Sequence, residues 1–303
     1  MIRFLVRRLS FIALVCLLII FFAHMGIAMA RNSDLAAPNF NLISFGRAAW
    51  EDTTDYIGNA LSGDFGTVPT DSGPTPVTDF AGRAYRNSMG LLLVALAAAA
   101  SLGLALGSFT ALTRHKRLVL PLLTLTLLGI STPSFFAGVM LQLGELKFLQ
   151  VFGRRFVSMA GFAWDFDHML LPVLVLLARP LAYLTRATSL GLKKIMEEDF
   201  IRTAYAKGVG QRRVVNVHAF RNLAIPVLTA VGVSLRFSLS TLPIAEIFFA
   251  WPGMGQELVR AIYGRQAELV ATLALALGLT FLLANLLLDI SFRLIDPRTR
   301  EWA

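Results

Sequence analysis

Six stretches of the chain are almost wholly apolar: 9–30, 88–113, 118–143, 168–190, 223–250 and 268–291. Each reaches the roughly 20 residues that a helix needs to cross a hydrocarbon layer about 30 Å thick. The runs are continuous rather than alternating, which excludes the strands of a membrane barrel. Within lipid, a helix satisfies every backbone N–H and C=O internally. The pattern therefore predicts an all-α integral membrane protein with six transmembrane helices, organised as a single domain over 1–303.

The polar intervals orient these spans. Segment 31–87 is long and turn-rich, with Pro69, Pro74 and Pro76 among Gly, Ser, Thr and Asp. It can carry short surface helices but lacks the periodicity of a separate domain. With the N-terminus inside, sixteen of the 28 Lys and Arg fall on the cytoplasmic side, seven of them in loop 191–222. The outer segments hold nine basic residues, and the first outer segment holds seven acids: Asp34, Glu51, Asp52, Asp55, Asp64, Asp71 and Asp79. The positive-inside rule then places both termini in the cytoplasm and 31–87 outside. Arg3, Arg7 and Arg8 before the first span, and Ala28-Met29-Ala30 after it, resemble a signal peptide. The apolar run exceeds the 7–15 residues of a signal core, so an uncleaved anchor is expected.

Composition agrees. Apolar residues make up 56% and charged residues 16%, with a mean hydropathy of +0.65, against about 25% charged in soluble domains. The net charge of +9 then reads as cytoplasmic loops beside membrane lipid, with no nucleic-acid partner expected. Cys16 is the one cysteine, which excludes an internal disulfide. The four histidines are scattered, and no G-x-x-x-x-G-K-[ST] phosphate loop occurs. Leu61-Ser62-Gly63-Asp64 resembles an ATPase signature loop, but its turn-rich outer setting makes this a coincidence. The chain does not read as an enzyme, and no bound metal or cofactor is expected.

Most information lies in the loop GLKKIMEEDFIRTAYAKGVGQRRVVNVHAFRN, 191–222. Glu197, Glu198 and Asp199 favour a helix N-terminus, and Lys207 suits its end. Phe200, Ile201 and Ala204 give a short helix an apolar face, and Gly208 and Gly210 break it. Two readings are open on physics alone. One is an interfacial helix among anionic headgroups. The other is a docking element whose small residues, Ala204, Ala206 and Gly208, allow a partner to approach closely.

Residues 198–208 resemble the cytoplasmic coupling loop of ABC importer permeases, in the form E-D-[FY]-[IV]-R-T-A-x-A-K-G of the dipeptide/oligopeptide/nickel family. The continuation His218-Ala219-Phe220-Arg221-Asn222 with Ile225-Pro226 is similar to that family too. So are Arg7-Arg8-Leu9, Gly58–Gly66, Ser131-x-Pro133-Ser134-Phe135, Glu246-x-x-Phe249-x-Trp251-Pro252-Gly253-Met254-Gly255, Asp289 and Asp296-Pro297-Arg298. The Pro-Gly-Asp element usual after the first span is missing from 31–45, and outer loop 144–167 looks short. Both departures bear on the type of substrate.

The resemblance implies the type I importer permease (MetI-like) fold in the inner membrane. It also implies a second homologous permease, two ATPase subunits that bind ATP and Mg, and an extracytoplasmic substrate-binding protein. Glu198, Asp199, Arg202, Thr203, Ala204, Ala206, Lys207 and Gly208 would form the ATPase-coupling element. Trp251, Pro252 and Gly253 would form a periplasmic gate.

Arg179 and Arg236 lie deep in spans four and five, where a charge must face a partner or a wet cavity. Glu246 is a candidate partner, and all three are candidates for the translocation path. Gly103 and Gly107 form a G-x-x-x-G pair suited to close helix packing, and Asp289 is expected to pair with Arg186. The rival class, a self-contained secondary transporter or channel, would need a set of ion-coupling carboxylates. The spans offer only Glu246, Asp289 and the marginal Glu268.

Overall fold

The computed structural model describes residues 2–31, 42–70, 73–113 and 116–295. Asp34, Asp71, Arg114, His115, Asp296, Pro297, Arg298 and Arg300 lie outside the described residues. In chain order the elements begin with α1 (Ile2–Arg31), α2 (Leu42–Leu61) and the hairpin β1 (Thr67–Thr70) and β2 (Gly73–Pro76). They continue with α3 (Val77–Leu112), α4 (Lys116–Ser131), α5 (Ser134–Phe152), α6 (Phe166–Met196) and α7 (Asp199–Ala206). Next come α8 (Gln211–Phe248), widened by a π turn at Val214–Ala219, then α9 (Met254–Tyr263) and α10 (Ala267–Ile295). Among the described residues six helices are long and apolar enough to cross a membrane: α1, α3, α5, α6, α8 and α10.

The span expected at 118–143 is not one helix. It is divided into α4, of 16 residues, and α5, of 19, at Thr132-Pro133. Proline has no N–H to give and pushes the residue before it out of the helical region. Thr132 closes α4 by donating to the Leu128 carbonyl at 3.0 Å. Pro133 stands at φ −59°, ψ 138° as the extended residue from which α5 starts. The crossing helix is thereby α5, about ten residues later than the hydropathy suggests.

The chain, expected as a single domain, packs as two compact units. One unit combines residues within 1–89 and 250–289. Its core joins Val77, Ala81 and Ala84 of α3, Met254 and Ala261 of α9, and Leu269, Val270 and Leu273 of α10. Ile27 of α1 and Val68 of the hairpin close it. Helix α2 packs along α1, and the Tyr56 hydroxyl meets the Thr272 hydroxyl of α10 at 2.8 Å. Asp289 is held by Arg8 of α1 at 2.5 Å, a pairing that its reading with Arg186 did not anticipate.

The other unit is built mainly from residues 90–249. Helices α6 and α8 form its centre, with α4 and α5 against them. Gly103 and Gly107 of α3 serve the close packing expected of them. A Cβ on Gly103 would stand 2.7 Å from the Leu184 side chain, and one on Gly107 2.6 Å from the Thr185 carbonyl. Helix α6 is capped by Asp165, whose carboxylate accepts from the His168 N–H at 2.9 Å and contacts His168 Nδ1 at 2.8 Å. Those bonds, the backbone one foremost, hold the Asp165 carboxyl below its usual range. Lys193 and Lys194 sit at the far end of α6, where the helix dipole favours cations.

Candidate functional site

The loop that the sequence singles out is ordered throughout. Glu198 is extended (φ −71°, ψ 150°) and starts α7, with Asp199 in the first turn. At the other end Gly208 takes φ +76°. Its N–H donates to the Tyr205 carbonyl at 2.9 Å, and the Val209 N–H donates to the Ala204 carbonyl at 3.2 Å. This paired arrangement is the Schellman stop, which needs a left-handed residue and therefore favours glycine. Arg202 reaches back to Asp199 at 3.3 Å, a solvent-exposed pair of little energetic weight.

The two faces of α7 differ sharply. Ile201 is fully buried and Ala204 is 8% exposed, both in a core shared with Leu192 of α6 and with Val214, Ala219 and Leu223 of α8. Ala204 was expected to be small so that a partner could approach. It is instead turned inward, and its size serves packing under α7. The outer strip consists of Phe200, Arg202, Thr203, Tyr205, Ala206 and Lys207, all exposed. Phe200 and Tyr205 are its large apolar side chains, left 42% and 41% exposed.

Arg179 and Arg236 are both half-buried, on α6 and α8. The Arg179 guanidinium lies 5.4 Å from the centre of the Phe237 ring, a cation–π contact. It borders a cavity of about 330 Å³ walled mainly by apolar residues such as Leu125 of α4 and Leu177 of α6, with Thr241 of α8 also in the lining. Glu246 is fully buried near the end of α8. On the same two helices, the hydroxyls of Thr185, Thr188, Ser234 and Ser238 are buried without a hydrogen-bond partner. A polar group left so normally costs about 1–3 kcal/mol.

Trp251, Pro252 and Gly253 form a locked turn. Trp251 is fully buried. Its indole N–H donates to the Asn87 carbonyl at 3.1 Å, and the Asn87 amide donates to the Pro252 carbonyl at 2.8 Å. The Met254 N–H donates to Ser88 Oγ at 2.7 Å. Ala250 enters the turn at φ +51°, a strained value for a residue with a Cβ. Just beyond, burial pushes the Glu257 carboxyl above its usual range, against the pull of Arg260 at 2.8 Å.

Sequence reasoning missed two further ties. Glu145 is 5% exposed and accepts the N–H groups of Phe156 (2.7 Å) and Val157 (3.3 Å). Gln142 donates to the carbonyls of Met159 (3.1 Å) and Phe248 (3.0 Å). They fasten the segment 153–165 after α5; of the two, only Gln142 was signalled, by its polarity within the apolar run 118–143.

Six helices long and apolar enough to cross a membrane, with an α6–α7–α8 turn between two of them, are the architecture of a multi-pass membrane protein. The profile of the family described as "Binding-protein-dependent transport system inner membrane component" matches residues 103–301, and the chain belongs to that family. It is a permease subunit of an ABC-type, binding-protein-dependent importer. The oligopeptide transport system permease protein OppB of Mycobacterium tuberculosis is 32% identical over 259 residues, covering 81% of this chain and 79% of the relative. The dipeptide transport system permease protein DppB of Escherichia coli K12 is 28% identical over 344 aligned positions, 99% of each. The glutathione transport system permease protein GsiC of the same organism is 32% identical over 246, covering 81% and 78%.

Proposed function

We propose that this permease forms half of a translocation path for peptides or peptide-like solutes, the other half being a second homologous permease. Two cytoplasmic ATPase subunits bind ATP and Mg and dock on α7, while the solute arrives on an extracytoplasmic binding protein. Loop 191–222 and both termini then lie in the cytoplasm, with 31–87 outside. Glu198, Asp199, Arg202, Thr203, Ala206 and Lys207 form the docking strip. Ala204 and Gly208 set its position from beneath and behind. ATP-driven closure pushes α7 and rocks α6 and α8, which carry Arg179, Arg236 and Glu246 along the path. The turn Trp251-Pro252-Gly253 acts as the outer gate.

The observation that carries this reading is the exposed strip of α7, fixed by a buried inner face and a glycine stop, on a sequence that matches the coupling motif. The cargo class follows from what the relatives are named for carrying. The test is purification in mild detergent, then reconstitution with the co-purifying subunits in vesicles. Peptide uptake should require both ATP and the binding protein. A chain that purifies alone and moves solute without an ATPase overturns the reading.

A further inference from the structure

Arg179 stands near the middle of the 31-residue helix α6. Among the described residues no carboxylate pairs with it, and its guanidinium lies over the Phe237 ring. A charge at that depth is costly unless it meets water or an opposite charge. Arg179 and Phe237 both line the 330 Å³ cavity, which lies wholly within the unit built mainly from residues 90–249. No Asp or Glu shares that lining. The counter-charge that Arg179 calls for therefore comes from outside the chain.

The rest of the cavity suits something apolar and small. Leu106 of α3, Leu122 of α4 and Leu177 of α6 belong to its wall, and the break between α4 and α5 adds Thr132 and Ser134. Gly129 keeps α4 close to α6, since a Cβ there would stand 3.0 Å from the Ala178 carbonyl. The volume lies at the lower end of the range for small-molecule sites, about 300–1,000 Å³. That is room for one residue of a peptide, not for a whole one. The lining hydroxyls of Thr126, Thr132 and Thr241 donate to the carbonyls of Leu123, Leu128 and Phe237 at 2.7, 2.7 and 2.9 Å. With their protons spent, these oxygens can only accept, which suits an N–H of the guest. A carboxylate, an apolar side chain and an amide N–H meet on one carbon at the C-terminus of a peptide. A phospholipid has its charge at the headgroup, far from mid-span.

We propose, resting on the reading of this chain as a peptide permease, that the cavity is the subsite for the C-terminal residue of the solute. It selects a free carboxylate beside a bulky apolar side chain. The fork of Arg179 donors holds the carboxylate over Phe237, the leucine wall takes the side chain, and the threonine oxygens accept the last peptide N–H.

The test is calorimetric titration of the permease, with whatever subunits co-purify, in lipid nanodiscs without ATP. The probes are alanyl-alanyl-phenylalanine, its C-terminal amide, alanyl-alanyl-glycine and decanoate. The first should bind most tightly, with the amide and the glycine peptide each about tenfold weaker. Arg179→Gln should remove the preference for acid over amide and keep that for phenylalanine over glycine. Ala137→Phe, at a half-buried wall position, should fill the cavity and remove the preference for phenylalanine. Should Arg179→Gln melt early, the comparison of acid with amide on the unaltered chain still decides. No saturable binding, equal binding of the amide, an unchanged acid preference in a folded Arg179→Gln, or decanoate displacing the peptide at higher affinity overturns the proposal. Loss of the acid preference leaves ATP-dependent uptake as it is, whereas uptake without an ATPase overturns the importer reading and leaves these affinities as they are.

Discussion

Leucine placed at two positions two residues apart on α7 should fail in two different ways. Ala204 faces the core with Ile201, Val214 and Leu223, whereas Ala206 is exposed on the outer strip. Ala204→Leu adds three carbons to a site with 8% of its surface free. Overpacking of that kind costs about 1–3 kcal/mol. At about 2–4 °C per kcal/mol for a chain of this size, the unfolding midpoint should fall by several degrees. Ala206→Leu changes only surface, so stability should hold within about 0.5 kcal/mol. If α7 seats in a groove of the ATPase, its bulk should cost docking about 2 kcal/mol, roughly a thirtyfold loss of ATPase affinity. The assay pairs tryptophan-fluorescence melting of the permease with titration of the ATPase into permease vesicles. Wild-type ATPase affinity in Ala206→Leu, or an unshifted melting curve in Ala204→Leu, refutes the assignment of the two faces.

Trp251→Phe removes the indole N–H from the part-buried Asn87 carbonyl while keeping an aromatic ring, and should cost about 1 kcal/mol in thermal unfolding; an unchanged midpoint would show that the turn is not held by this bond. The Asp165 cap should be pH-sensitive. Its folded-state carboxyl is depressed, so its stabilisation is present above the ordinary carboxylate range and is lost as pH falls through the lowered folded value. The difference in melting temperature between wild type and Asp165→Ala should therefore close below about pH 4, and a gap that persists or widens in acid contradicts the cap.

The apolar runs located most of the crossing helices because hydrocarbon imposes one length and one backbone solution. They failed where one proline decides, since window hydropathy scores 118–143 as continuous while Pro133 ends the helix. The hairpin 67–76 and α9 were invisible for another reason. They are short, and their stability comes from distant partners such as Leu269 and Val77 rather than from local pattern. Segment 198–208 was legible as a motif and its start and stop as cap chemistry, yet the facing of Ala204 was not. A helix of eight residues with apolar positions at Phe200, Ile201, Ala204, Tyr205 and Ala206 can rotate either way, and only α6 and α8 decide. Asn87, Glu145 and Gln142 were missed because their partners are main-chain groups, which leave no trace in side-chain spacing.

If α7 is where the ATPase docks, the shared core beneath it also sets a ceiling on what the protein can transmit. Ile201, Ala204, Val214, Ala219 and Leu223 anchor the helix to the roots of α6 and α8. Burying a side chain such as Ile201 is worth about 1.5–3 kcal/mol, so prying α7 loose costs only a few such increments. A stroke gentler than that moves the membrane helices as one body. A stroke harder than that peels α7 from its bed and dissipates as local unfolding. The element thus behaves as a mechanical fuse: enlarging or shrinking its buried side chains should change the largest force the permease withstands before it slips, even where the docking strip itself is untouched.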